Sequence, residues 1–130
     1  MCGFAGFISN NLIESQSRSN ILKMMGQSLL HRGPDQSGEF NYLKRGFSLV
    51  HQRLSILDTS ENGKQPMISP SGRFVIAFNG EIYNYKDLKS EIQKSDFYIN
   101  DWNGDSDTEV LLRCIEIWGL ERTLTKIVGM

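Results

Sequence analysis

Apolar positions fall into short runs along this 130-residue chain, separated by polar stretches rich in Gly and Pro. Phe4, Ala5, Phe7 and Ile8 stand between Gly3, Gly6 and Ser9 and predict a strand over residues 2–9. The run is apolar at odd and even positions alike, so burial on both faces is expected. Its glycines are expected to admit a close neighbour. Residues 10–17 are polar and read as a loop. Ser19 is expected to cap a helix reaching about residue 30. Ile21, Met25 and Leu29, at i, i+4 and i+8, form its core stripe, with Leu22 and Leu30 on neighbouring rows. His31-Arg32-Gly33-Pro34-Asp35 ends that helix, because Gly and Pro together stop it.

Residues 47–50 predict a short strand, and Ile56-Leu57 a further short segment. Residues 61–72 carry Gly63, Pro66, Pro70 and Gly72 and read as loop. Residues 74–78, β-branched and aromatic without a charge, are the strongest strand in the chain. They run into Asn79-Gly80, a pair able to take positive φ in a turn. Residues 84–94 predict an amphipathic helix with Leu88 and Ile92 facing inward. A polar loop over 101–107 follows. Ser106 or Asp107 caps the next helix, which carries Val110, Leu111, Cys114, Ile115 and Trp118 and stops at Gly119. Residues 120–128 begin a last helix. The mixture of strands and helices places the fold in the α+β class. No repeat, low-complexity tract or domain boundary interrupts it. The stop after an apolar stretch is expected of a chain cut short of a finished domain.

Composition narrows the function classes. Hydrophobic residues make up 39% and charged residues 22%, ordinary globular usage for one domain with a core. Fourteen Lys and Arg against fifteen Asp and Glu give a net charge of −1, which draws the chain neither to nucleic acid nor to an anionic membrane. No apolar run approaches the ~20 residues of a membrane span. Two cysteines make no disulfide framework, so a reducing cytoplasm is expected.

Cys2 is the first candidate for chemistry. Loss of Met1 would put a thiol and a free α-amine on one residue. Such groups titrate within about a unit of each other, so the amine can take the thiol's proton near neutral pH. The ordinary alternative is a small buried hydrophobe in a strand. Polar groups at strand ends and helix starts point into crevices, where ligands sit. Arg53, Asn79-Gly80-Glu81 and Asp105-Ser106-Asp107 are so placed. If the ligand is an amino acid, its carboxylate calls for a guanidinium, as Arg53 supplies. Its ammonium calls for a carboxylate, Asp107 or Glu81. A tetrahedral oxyanion calls for two neutral donors, as the Asn79 side chain and the Gly80 amide offer. Each residue alone also fits a surface ion pair, a turn or an N-cap.

Other constellations are weaker. His31, His51, Cys2 and Cys114 lack metal-ligand spacing, so no metal is expected. No phosphate-cradling glycine motif occurs. Asp35, Asp58 and Asp105 define no carboxylate pair, and Trp102 and Trp118 make no stacking platform.

Met1-Cys2-Gly3-Phe4-Ala5-Gly6-Phe7, His31-Arg32-Gly33-Pro34-Asp35, the segment from His51 to Asp58, Phe78-Asn79-Gly80-Glu81-Ile82-Tyr83-Asn84 and Ser106-Asp107-Thr108-Glu109 occur together in one order. In this the chain resembles the N-terminal glutaminase domain of glutamine-hydrolysing asparagine synthetases, class II glutamine amidotransferases of the N-terminal nucleophile hydrolase type. The resemblance implies a four-layer αββα sandwich, incomplete at its C-terminus, with residues 1–130 a partial domain. It implies that Cys2 attacks the side-chain amide of L-glutamine and forms a thioester. Arg53 would hold the α-carboxylate, the backbone of Leu54 and Ile56 would line the pocket, Asn79 and Gly80 would form the oxyanion hole, and Glu81 and Asp107 would bind the α-ammonium. It implies no cofactor in this segment, ATP and magnesium belonging to an absent synthetase domain. That domain would be its partner in the parent protein, with a homodimer of the parent as one arrangement. Two alternatives stay open: an amidotransferase with a different acceptor, and a non-catalytic fragment or interaction module.

Overall fold

The computed structural model describes residues 2–9, 14–95 and 101–130. They form two units interleaved along the chain: Met1–Ser55 with Lys64–Pro66 and Ala77–Asn79, and Ile56–Gly63 with Met67–Ile76 and Gly80–Met130. Helices and antiparallel sheets make the fold mixed α and β.

The first unit is a three-stranded antiparallel sheet carrying one helix. Its strands are β1 (Gly3–Ile8), β2 (Gln36–Tyr42) and β3 (Phe47–Arg53), with β3 central. The register pairs Gly3 with Gln52 on one side and Gln36 with Arg53 on the other. Side chains alternate across a strand. Ser48, Val50 and Gln52 meet helix α1 (Ser15–Ser28), where the Arg18 guanidinium donates to Ser48 Oγ at 2.8 Å. Gly26 lies against the Val50 and Gln52 side chains. Leu49, His51 and Arg53 take the opposite face. Leu22 and Val50 are buried at the seam of helix and sheet.

Several expectations change here. β1 is not buried on both faces: Phe4 and Ile8 are 48% and 72% exposed, because α1 covers only the side of Gly3, Ala5 and Phe7. Met1 and residues 10–13 lie outside the described residues, so the expected loop over 10–17 is seen only in part. Its last residues already belong to α1, whose N-cap is Glu14, with no side-chain capping bond, rather than Ser19. The buried row of α1 is Arg18, Leu22 and Gly26, shifted by one position from Ile21, Met25 and Leu29. A buried Arg is tolerated because it bonds the Gly46 carbonyl and Ser48 and lies over the Phe7 ring. β2 has no apolar run to announce it. It is an edge strand formed by pairing with β3, with Phe40 set against Leu49.

The second unit contains strands β4 (Met67–Ile68) and β5 (Val75–Ile76), paired antiparallel, and helices α2 (Tyr85–Gln93), α3 (Asp107–Trp118) and α4 (Leu120–Lys126). Its core joins Leu88 and Ile92 of α2, the inward pair expected, to Val110, Leu112 and Cys114 of α3 and Thr123 of α4. Ser106 caps α3, its hydroxyl accepting the Glu109 amide at 3.2 Å. Asp107 and Glu109 in the first turn complement the helix dipole. Gly119 ends α3 at φ 82°, a value that side chains resist. The strand expected over 74–78 shrinks to Val75–Ile76, because pairing with β4 ends where Ala77–Asn79 joins the first unit. Neither Asn79 nor Gly80 takes positive φ. Among the described residues, no helix is long and apolar enough to cross a membrane.

Replacing Ile92, 1% exposed, by Ala removes three buried carbons between α2 and α3. Urea unfolding followed by circular dichroism should show a loss of about 2–5 kcal/mol.

Candidate functional site

In the first unit, the end of β3 gathers the candidate groups. One step beyond the Gly3–Gln52 pair lie Cys2 and Arg53. The Leu54 amide donates to Cys2 Sγ at 3.4 Å, and the thiol lies 3.7 Å from the Leu54 carbonyl. Arg32 Nε donates to the Cys2 carbonyl at 3.0 Å. The start of the chain is thus tied at both its backbone and its sulfur. Arg53 is 4% exposed, and its Nη1 donates to Gln36 Oε1 at 2.6 Å.

The His-Arg-Gly-Pro-Asp loop buttresses this end. The Asp35 amide donates to the Arg53 carbonyl at 3.1 Å, and Asp35 Oδ2 accepts the Ser55 amide at 2.7 Å. At Gly33 a Cβ would stand 2.5 Å from the Arg53 carbonyl carbon and the Gln52 oxygen, so only glycine lets the loop approach. The loop, legible in the sequence only as a helix stop, thus has a structural task of its own. The signal was a Gly-Pro-Asp run too polar to enter a core.

His51, on the same face of β3 as Arg53, is fully buried, and its Nε2 lies 3.2 Å from the Phe78 carbonyl. A carbonyl only accepts, so Nε2 carries the proton. Burial lowers the imidazole below its ordinary value. The Phe78 carbonyl opposes this, and the Arg53 charge adds to it. The Phe78 amide donates to Gln65 Oε1 at 2.6 Å. Both polar backbone groups of Phe78 are therefore held immediately before Asn79, whose side chain stands at the surface. Gln36 and Gln65 are partners that no sequence pattern singled out, and Arg32 and His51 stood within motifs that gave them no role.

In the second unit, Glu81–Tyr83 runs antiparallel to Val128–Met130. The Glu81 amide donates to the Met130 carbonyl at 2.9 Å, and the Met130 amide to the Glu81 carbonyl at 3.0 Å. Asp107, 7% exposed, joins this segment: Oδ2 accepts the Ile82 amide at 2.8 Å and Oδ1 the Thr108 amide at 2.9 Å. A buried carboxylate is thus stabilised by backbone dipoles one residue from Glu81. Ile56 and Gly80 also belong to this unit, the Ile56 side chain 68% exposed. Cys2, Arg53, Leu54 and Asn79 belong to the first. The two cysteines differ in kind. Burial, reinforced by Glu91, pushes the Cys114 thiol up to about 12, as suits a packing residue. Among the described residues, no three His, Cys, Asp or Glu side chains cluster closely enough to hold a metal ion.

The glutamine amidotransferase domain family matches the chain over residues 1–130. Asparagine synthetase [glutamine-hydrolyzing] 1 of Bacillus subtilis is 40% identical over 131 residues, covering 100% of this chain and 20% of that protein. Asparagine synthetase [glutamine-hydrolyzing] 2 of the same organism is 39% identical, covering 100% of the chain and 16% of that protein. Asparagine synthetase [glutamine-hydrolyzing] of Zea mays is 34% identical over 121 residues, covering 93% of the chain and 19% of that protein. The chain therefore spans a fifth or less of the length of these relatives.

Iodoacetamide applied to the folded protein should alkylate Cys2 and spare Cys114, and peptide mass spectrometry would read the difference. Equal labelling would contradict the burial of Cys114. His51 predicts the pH dependence of stability. Its folded value is lowered, so the unfolded chain binds the proton more readily. Its contribution is intact above about 6.5, the ordinary imidazole value, and is lost as pH falls toward the lowered one. Melting curves from pH 8 to 5 should show a decline that His51→Gln flattens.

Proposed function

The chain belongs to the glutamine amidotransferase domain family, and on that premise we propose that it hydrolyses L-glutamine to glutamate and ammonia through a thioester on Cys2. The observation that carries this reading is the seating of the Cys2 thiol on the amide of Leu54, the residue that follows the buried Arg53. With Met1 removed, the Cys2 α-amine takes the thiol proton, and Sγ adds to the γ-carbonyl carbon of glutamine. The oxyanion so formed is met by the Asn79 side-chain amide and the Gly80 N–H, donors of the kind worth ~10²–10³ in rate. The C–N bond breaks and the α-amine returns its proton to the leaving nitrogen, so ammonia departs and the acyl group stays on sulfur. Water, deprotonated by the same amine, then releases glutamate and the thiol.

Arg53 holds the α-carboxylate, by the fork geometry that guanidinium and carboxylate share. Glu81 and Asp107 receive the α-ammonium; the link from Asp107 to the Ile82 amide supports pairing these two acids in one role. The backbone of Leu54 and Ile56 lines the pocket. A four-layer αββα sandwich is the architecture we assign to the parent domain, supported by the helix-covered antiparallel sheet of the first unit. The ammonia supplies an ATP-dependent synthesis of asparagine from aspartate in a synthetase domain of a cytoplasmic parent protein. The names of the relatives support the coupling of glutamine hydrolysis to asparagine synthesis. ATP and magnesium belong to that domain.

Glutamate release from glutamine, measured with the protein that carries this chain, should fall by more than ~10²-fold in Cys2→Ala, since the covalent route itself disappears. Unchanged hydrolysis in that variant would remove Cys2 from the mechanism.

A further inference from the structure

We propose that His51 is a positioning residue for the oxyanion donor: its Nε2–H holds the Phe78 carbonyl and thereby sets the peptide plane that leads into Asn79. This inference rests on the glutaminase reading given above.

The Phe78 carbonyl and the Asn79 N–H belong to one rigid peptide unit, so fixing the first orients the second and the Cα from which the Asn79 side chain departs. The Phe78 amide is already fixed by Gln65, at 2.6 Å. What remains is rotation of the following peptide, and the 3.2 Å contact from His51 removes it. His51 is itself immobilised: it is fully buried and stands on the central strand, paired with Phe4 and Gly38. Arg53, two residues further on the same face, would carry the substrate carboxylate. One strand thus spaces the two ends of the substrate site, the carboxylate anchor directly and the oxyanion donor through His51.

A second observation shows that the imidazole is not there simply to fill volume. Its Nδ1 is buried and has no hydrogen-bond partner among the described residues. An unpaired buried acceptor is unfavourable, and an apolar side chain of similar size would avoid it. The Phe78 contact is the one hydrogen bond that the ring makes among these residues. A preorganised oxyanion donor requires such a fixed support, since its effect depends on being aimed before charge develops.

The test compares His51→Leu, which removes the donor, with His51→Gln, which returns an N–H near the Nε2 position. Steady-state glutamate release is measured with the protein that carries this chain, alongside melting temperatures. His51→Leu should lower kcat on the order of tenfold or more, because a small misplacement is costly. The KM for glutamine should stay within about twofold, since ground-state binding is untouched. His51→Gln should recover most of kcat. Should the Leu variant fail to fold, His51→Asn against His51→Gln decides. Both are amides, but only Gln reaches the Phe78 carbonyl, and kcat should be low in Asn alone. Unchanged kcat in a folded Leu or Asn variant would overturn the proposal. So would equal losses in Gln and its shorter counterpart, or KM rising in step with the fall in kcat. Hydrolysis that depends on Cys2 but is indifferent to His51 sinks this inference alone. A wild-type protein that releases no more glutamate than Cys2→Ala sinks the glutaminase reading, and this one with it.

Discussion

Alternation along a fully paired central strand is the constraint on which the candidate site depends. β3 has a partner on each side, so its backbone groups are satisfied and its side chains have only two directions to take. Ser48, Val50 and Gln52 are taken by α1. Leu49, His51 and Arg53 must then share the other face. A slip of one residue against β1 would drive Arg53 and His51 into the helix and expose Val50. The antiparallel register also brings Cys2 to the Arg53 end of β3.

Around that strand, each buried polar side chain is anchored by a partner, even where one of its atoms, His51 Nδ1, has none among the described residues. Arg53 has Gln36, His51 has the Phe78 carbonyl, and Arg18 has the Gly46 carbonyl and Ser48. The loop from His31 to Asp35 belongs to the same economy. Gly33 lets it lie against the end of β3, and Asp35 accepts the Ser55 amide just beyond. In the second unit the capped start of α3 serves a similar end, since the Asp107 carboxylate accepts the Ile82 amide while that of Glu109 accepts the Asn103 and Gly104 amides. Functional candidates therefore sit at ends of elements, where a side chain has a fixed origin and a free direction.

How much of this was legible varies with the distance over which each feature is decided. Helices α2 and α3 were readable almost to the residue, because Leu88, Ile92, Ser106 and Gly119 act within a turn or two of the chain. The α1 stripe was misplaced by one position, because the sequence shows Ile21, Met25 and Leu29 as apolar but not that Arg18 finds Ser48 thirty residues away. β2 was invisible for the same reason: only its pairing with β3 makes it a strand. The candidates Cys2, Arg53, Asn79 and Asp107 could be named from residue type and motif order. The roles of their supports, Gln36, His51 and Gln65, could not, since a Gln or His carries no mark of which distant amide or carbonyl it will meet.

By itself, then, the sequence determined the elements with local periodicity and local caps, and the set of side chains able to handle an amino-acid amide. Tertiary structure alone decided which face of each strand is buried, which polar groups are paired, and that Cys2 rests on the Leu54 amide. The reason is physical. Helical turns and caps are settled by contacts three or four residues apart, whereas strand pairing and the burial of charge depend on partners far away in the chain, and nothing local records who they are.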